Sequence, residues 1–335
     1  MLKLVYTFTL LLEVSMKKEL KLSLIGQFIL LLATIAWGAS FFILKGTINE
    51  YPPMYVIGFR FLSASVILTL IFIKKIIKIS RRTFLRGATL GVFMGLAYIT
   101  QTYGLTGTTP ATNAFLTSLY CILCPFFLWL FFKVVPKTKH VVSAVICLGG
   151  LALIAFSSGN EGQNTFLGCL LTIAGAIFFC AQLVFIDKFQ KEDNDTITLL
   201  IVQLATASLM VLALSFITEF PTYGIDGMIF KKEHLFNVIY LTVACTILAP
   251  LFQMIGQKLT TPNQASIILC FEAVFGAIFS VAFGAEELSL MLALGFVVIF
   301  ISVFITEINV DYKKLLGFIY KKPSNEEIEK RIDKE

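Results

Sequence analysis

The sequence predicts an all-α polytopic membrane protein with ten transmembrane helices, arranged as two inverted five-helix repeats. Three observations carry that prediction. The 335-residue chain is 57% hydrophobic and only 14% charged, with a mean hydropathy of +0.86, whereas soluble domains carry about 25% charged residues. Its apolar residues fall into ten runs of about spanning length. The pattern Gln-x-x-Gly-x-x-x-Thr-Thr-Pro occurs twice, from Gln101 to Pro110 and from Gln253 to Pro262, each time closing one apolar run just before the next.

So little charge cannot cover a water-facing globule, but it suits a bilayer. The net charge of +6 is spread over short clusters between apolar runs. That is the signature of membrane topology, and no nucleic-acid partner is expected.

Residues 1–23 are read as an N-terminal cytoplasmic segment. Its apolar stretch 1–12 is too short to span, no small-residue cleavage site follows it, and Met16, followed by Lys17 and Lys18, is an alternative start. The first repeat covers 24–157, with spans at 24–44, 54–73, 87–105, 113–132 and 141–156, the last being the shortest. The second repeat covers 166–308, with spans at 166–186, 196–218, 236–256, 264–284 and 290–307. Connections are brief, so neighbouring helices are expected to be antiparallel. The longest interruption, 219–235, contains Pro221, Gly224 and Gly227 and reads as an exposed loop. The tail 309–335 is charged and amphipathic, expected on the cytoplasmic surface.

Placing the N-terminus in the cytoplasm puts 23 of the 27 Lys and Arg residues in inside segments and only Lys45, Lys231 and Lys232 outside. The expectation is a plasma-membrane protein with both termini cytoplasmic. The halves align: residues 26–45 match 168–187 at an offset of 142, the Gln-to-Pro pattern aligns at 152, and the loop 219–235 absorbs the ten extra residues. Five spans per half is an odd number, so the second half must insert upside down. Such inverted repeats are a recurring transporter plan, with substrate held near the midplane.

Two charges fall well inside spans, Arg60 and Glu272. An intramembrane charge costs at least roughly 2.5–3.5 kcal/mol and marks a candidate functional residue. At about 1.5 Å per residue their backbones differ by on the order of 9 Å in depth. Gln101, Gln182, Gln203 and Gln253 also lie in apolar runs, where an amide needs a partner or a wet cavity. Tyr98, Gln101 and Thr102 share one helical face, as do Gln253 and Gln257. With Trp37, these side chains read either as interhelical hydrogen bonds or as a polar pathway. Cys121-x-x-Cys124 lies inside a span, so the seven cysteines read as apolar packing residues and no metal is expected. The chain has no Walker-type phosphate loop, no Asp deep in a span, and only His140 and His234, on opposite sides. Neither ATP-driven pumping nor intramembrane hydrolysis or acyl transfer is expected, and no cofactor.

Two stretches carry a family resemblance. Ala36-Trp37-Gly38-Ala39-Ser40-Phe41, followed by Pro52-Pro53 and Arg60-Phe61, resembles the opening of EamA-type proteins of the drug/metabolite transporter superfamily. Phe271-Glu272-Ala273-Val274-Phe275, followed by Gly284-Ala285-Glu286-Glu287-Leu288-Ser289, resembles that family's closing pattern. Ala273, and by analogy Cys121, stands where the family usually has proline, which removes proline as a source of kinks there. Phe179-Cys180 replaces Trp-Gly in the second repeat. The resemblance covers about 24–308 and implies ten helices in two inverted repeats that transport small metabolites, often exporting amino acids or related compounds.

The function expected is thus that of a secondary transporter, an exporter of small amphipathic metabolites working by alternating access in contact with membrane lipid. The proton is a candidate coupling ion, and monomer and homodimer are both open. A lipid-linked substrate flippase and a non-transporting scaffold or sensor are the alternatives. The expected pathway residues are Trp37, Arg60, Tyr98, Gln101, Gln182, Gln203, Gln253 and Glu272.

Overall fold

The computed structural model describes residues 2–157, 165–192, 195–282 and 289–307. The tail 309–335 and the Gly284–Leu288 part of the closing pattern lie outside the described residues.

The described chain is helical. In order come α1 (Leu2–Ile48), α2 (Pro53–Ile71), α3 (Ile73–Ile77), α4 (Arg81–Thr106), α5 (Pro110–Thr117), α6 (Tyr120–Phe132), α7 (Thr138–Ser157), α8 (Phe166–Glu192), α9 (Thr196–Thr218), α10 (Phe220–Tyr223), α11 (Leu235–Thr242), α12 (Ala249–Leu259), α13 (Pro262–Leu269), α14 (Phe271–Ala282) and α15 (Leu290–Glu307). Eight helical segments among the described residues are long and apolar enough to cross a membrane. The fifth and tenth expected runs lie in α7 and α15, which contribute the shorter apolar stretches Thr138–Leu153 and Ala293–Val303. No break separates residues 1–23 from the first span, because α1 already begins at Leu2.

Local chemistry sets the helix starts. Ser80 caps α4 by accepting from Thr83 N, and Asp195 caps α9 by accepting from Thr198 N. The repeated Thr-Thr-Pro proves to be a helix start. Thr109 and Thr261 accept from Thr112 N and Gln264 N, and Pro110 and Pro262 take a first-turn position where a missing N–H costs nothing.

Three departures from straight helices were not expected. The run 113–132 is broken between α5 and α6, and the run 264–284 is broken at Cys270 between α13 and α14. The breaks are equivalent: Ser118 and Cys270 differ by the repeat offset of 152. At each one a tighter bond closes the turn, from Cys121 N to Ser118 O at 3.0 Å and from Ala273 N to Cys270 O at 3.1 Å. Proline at either position would lack the N–H that makes this bond, so these breaks form without it. The third departure is a π turn, Val243–Leu248, between α11 and α12. It lies just before Pro250, whose ring blocks an ordinary helical bond, and Thr246 Oγ1 bonds five residues back to Leu241 O at 2.7 Å.

Each half's first helix packs on the other half's third. A Cβ on Gly26 of α1 would lie 2.9 Å from Gly256 O of α12, and one on Gly104 of α4 would lie 2.9 Å from Gly168 O of α8. α2 packs along α9, and α7 along α15. The largest contacts therefore join the halves instead of closing either one.

Candidate functional site

Where the two sets of helices meet, a cavity opens between them. Seven of the eight expected residues line it: Trp37, Arg60, Tyr98, Gln101, Gln182, Gln253 and Glu272. They come from six helices of both halves, α1, α2, α4, α8, α12 and α14.

α1 supplies Trp37, whose indole Nε1 donates to Cys245 O in the π turn at 2.9 Å. The adjacent Gly38 lets α14 approach, since a Cβ there would lie 2.6 Å from Phe275 Cβ and 3.0 Å from Glu272 O. The Trp-Gly pair thus holds α1 against two elements of the other half. Glu272 sits half-buried in the first turn of α14, where the helix dipole favours a carboxylate.

Arg60 is 3% exposed. Its guanidinium carbon lies 5.0 Å from the Tyr98 ring centre and 5.3 Å from that of Phe61, a cation–π arrangement. Tyr98 also meets Phe179 edge-on at 5.1 Å. The Arg60 Nε has no hydrogen-bond partner among the described residues. Among the described residues the ion pairs join groups at the ends of the helices, and Arg60 and Glu272 take part in none of them. A permanent cation and a carboxyl therefore face one cavity without being joined to each other.

The glutamines divide. Gln101 Nε2 donates to Thr117 Oγ1 at 3.0 Å beside the α5–α6 break, and Gln182 and Gln253 are buried against the cavity. Gln203 does not reach it. It lies fully buried between α9 and α4, with Nε2 3.1 Å from Met94 Sδ. Gln257 likewise serves packing, donating to Leu183 O at 3.1 Å.

Some positions escaped the sequence reading. Tyr120 lines the cavity and is the repeat equivalent of Glu272, so the offset of 152 could have found it. Glu219, placed by its sequence in an exposed loop, is 5% exposed. Its carboxylate accepts from Met54 N and Tyr55 N, both at 2.8 Å, and from Ser215 Oγ at 2.7 Å. It caps the start of α2, the helix that carries Arg60. Lys45 Nζ donates to the carbonyls of Leu105 and Thr108 at the end of α4.

At the opposite end of the bundle, Lys75 pairs with Asp195 at 2.9 Å, and Arg82 and Arg86 pair with Glu192. Burial pushes the Asp195 pKa up, but the bonds from Thr198 and Lys75 outweigh it and leave that carboxyl below its usual value.

Comparison with known proteins points one way. The EamA-like transporter family matches over residues 24–156 and 166–308. Two uncharacterized transporters from Archaeoglobus fulgidus are similar: one is 27% identical over 84% of this chain and 85% of its own length, the other 22% identical over 83% and 96%. A protein of known crystal structure superposes with a TM-score of 0.67 at 17% identity, covering 84% of this chain and 96% of that one.

Proposed function

The chain belongs to the EamA-like transporter family and is a multi-pass membrane transporter, and from that premise we propose that it is a secondary exporter of small amphipathic metabolites carrying a carboxylate, amino acids or close relatives. Ten spans in two inverted five-helix repeats enclose the cavity, and alternating access between the repeats exposes it to each side in turn. Both termini lie in the cytoplasm of the plasma membrane, and a proton is the candidate coupling ion.

One observation carries this reading. Arg60 is buried, faces the cavity, and among the described residues meets aromatic rings but no carboxylate. A charge at such depth needs an anionic partner, carbonyls or water, and a substrate carboxylate supplies the partner while its apolar part meets Trp37, Tyr98 and Phe179. The equivalent breaks beside the cavity add support, because discontinuous helices near the midplane are where transporters of this plan hold substrate.

The test is Arg60→Met in proteoliposomes, assayed for uptake and efflux of a panel of amino acids and small carboxylates with and without a proton gradient. The variant should fold with unchanged yield and lose transport, and adding Glu272→Gln should not restore transport. Recovery of folded yield in the double variant would mean that the two charges serve each other instead of a substrate. Reporter fusions at Glu335 and Gly224 should report opposite sides of the membrane.

A further inference from the structure

Behind the cavity wall three cysteines converge. Cys121 lies in the first turn of α6, Cys147 in α7, and Cys270 at the break between α13 and α14. They are 1%, 0% and 0% exposed, and all are free thiols. Their sulfurs all lie within 4.8 Å of one another. No sequence spacing announces this group, since it draws on both halves, and Cys124, the partner suggested by the Cys-x-x-Cys pattern, is not part of it. We propose that this triad is a binding site for one trivalent thiophilic centre, of the class represented by arsenite.

Soft thiolate donors select soft centres, and charge decides among those. The ligand form of cysteine is the thiolate, and an uncompensated charge in apolar surroundings is expensive. α6, α13, α14 and α15 contain no Lys or Arg. On α7, Lys139 and His140 lie eight and seven residues from Cys147, roughly 10–12 Å along the axis. Three thiolates around a monovalent ion would leave two negative charges here, and around a divalent ion one. A trivalent centre leaves none. Arsenite, As(OH)3, reacts with three thiols to give As(SCys)3 and three waters. Three As–O and three S–H bonds break, and three As–S and three O–H bonds form. No electron is transferred and no charge is created.

The spacing fits as well. Bonds of about 2.3 Å to sulfur, splayed at the roughly 95–100° angles of a pyramidal As(III) centre with its lone pair, place the three ligands about 3.5 Å apart, so the thiols need close by no more than about 1.3 Å. Tyr120 and Glu272, which line the cavity, stand next to Cys121 and two residues beyond Cys270. A bound centre would therefore tie the two interrupted helices and α7 together at one point.

The experiment exposes the purified full-length protein to arsenite. Native mass spectrometry should find one arsenic per chain, with three hydrogens lost, and arsenic X-ray absorption should find three As–S bonds and no As–O bond. Cys121→Ala, Cys147→Ala and Cys270→Ala should each weaken binding at least about tenfold, with Cys124→Ala and Cys245→Ala unchanged. Zn(II) should bind more weakly than arsenite. The absorption spectrum of the unaltered protein decides the question even if a variant fails to fold. No bound arsenic, a centre with two sulfurs and an oxygen, full affinity in Cys147→Ala, or a preference for Zn(II) would each overturn the proposal.

Discussion

Two seams of this molecule are repeat equivalents and differ sharply. α4 lies along α9 with Gly87, Gly91 and Gly95 facing it, and a Cβ on Gly91 would lie 2.6 Å from Gln203 O. The equivalent positions 152 residues later are Ile239, Val243 and Ile247, on α11 and the π turn. These elements touch α2 only sparingly, and Ile239 and Val243 are 51% and 40% exposed. Small residues let two backbones approach, and the second seam has none at these positions. The cavity lies on the slack side, between Arg60 of α2 and Pro250 and Gln253 of α12. Two seams with the same topology thus differ in residue size: one is closed, the other gives room for a site.

The sharpest way to break the comparison is to fill the closed seam. Gly91→Leu should abolish folded protein, and Gly91→Ala should cost about 1–3 kcal/mol as overpacking, measured by thermal unfolding in detergent. Val243→Ala should stay within about 0.5 kcal/mol of the parent. Equal losses at both positions would mean that the seams do not differ. Access comes next. In a background stripped of native cysteines, Gln253→Cys should react with a small water-soluble thiol reagent at least about tenfold faster than Gln203→Cys, in proportion to the populations of open states. Trp37→Phe strands the Cys245 carbonyl and should cost about 1–3 kcal/mol, loosening the π turn without touching the closed seam.

The smallest expected loss belongs to the foot of the closed seam. Asp195→Ala removes a helix cap and should cost about 1 kcal/mol. The same carboxyl sets a pH dependence. Its folded pKa lies below its usual value, so its contribution is complete above the unfolded value of about 3.9 and fades as pH falls through the folded one. Acid titration of the unfolding temperature should show that loss, and Asp195→Asn should remove it.

Much of this architecture was legible because hydropathy records which solvent a helix faces. All ten apolar runs fall in helices among the described residues, and the Thr-Thr-Pro echo marks helix starts through capping chemistry that any sequence displays. What hydropathy cannot register is continuity. A helix interrupted at Ser118 or Cys270 is as apolar as an unbroken one, and the π turn changes hydrogen bonding without changing composition. Polarity within an apolar run located Gln101, Gln182 and Gln253, but it misplaced Gln203, because an amide can be satisfied as well by a neighbouring helix as by a cavity. Glu219 was hidden for the opposite reason: its loop composition said solvent, whereas its partners are the free amides of α2.

That carboxylate acts as a depth gauge. The amides of Met54 and Tyr55 are pinned to Glu219, and Arg60 follows six residues after Met54, roughly 9 Å further along the axis. How far the guanidinium reaches into the membrane is therefore set by an anchor on the far half of the chain, across 159 residues of sequence. A substitution at that anchor, distant from the cavity, would shift the charge along the bilayer normal and so detune the site without altering any residue that lines it.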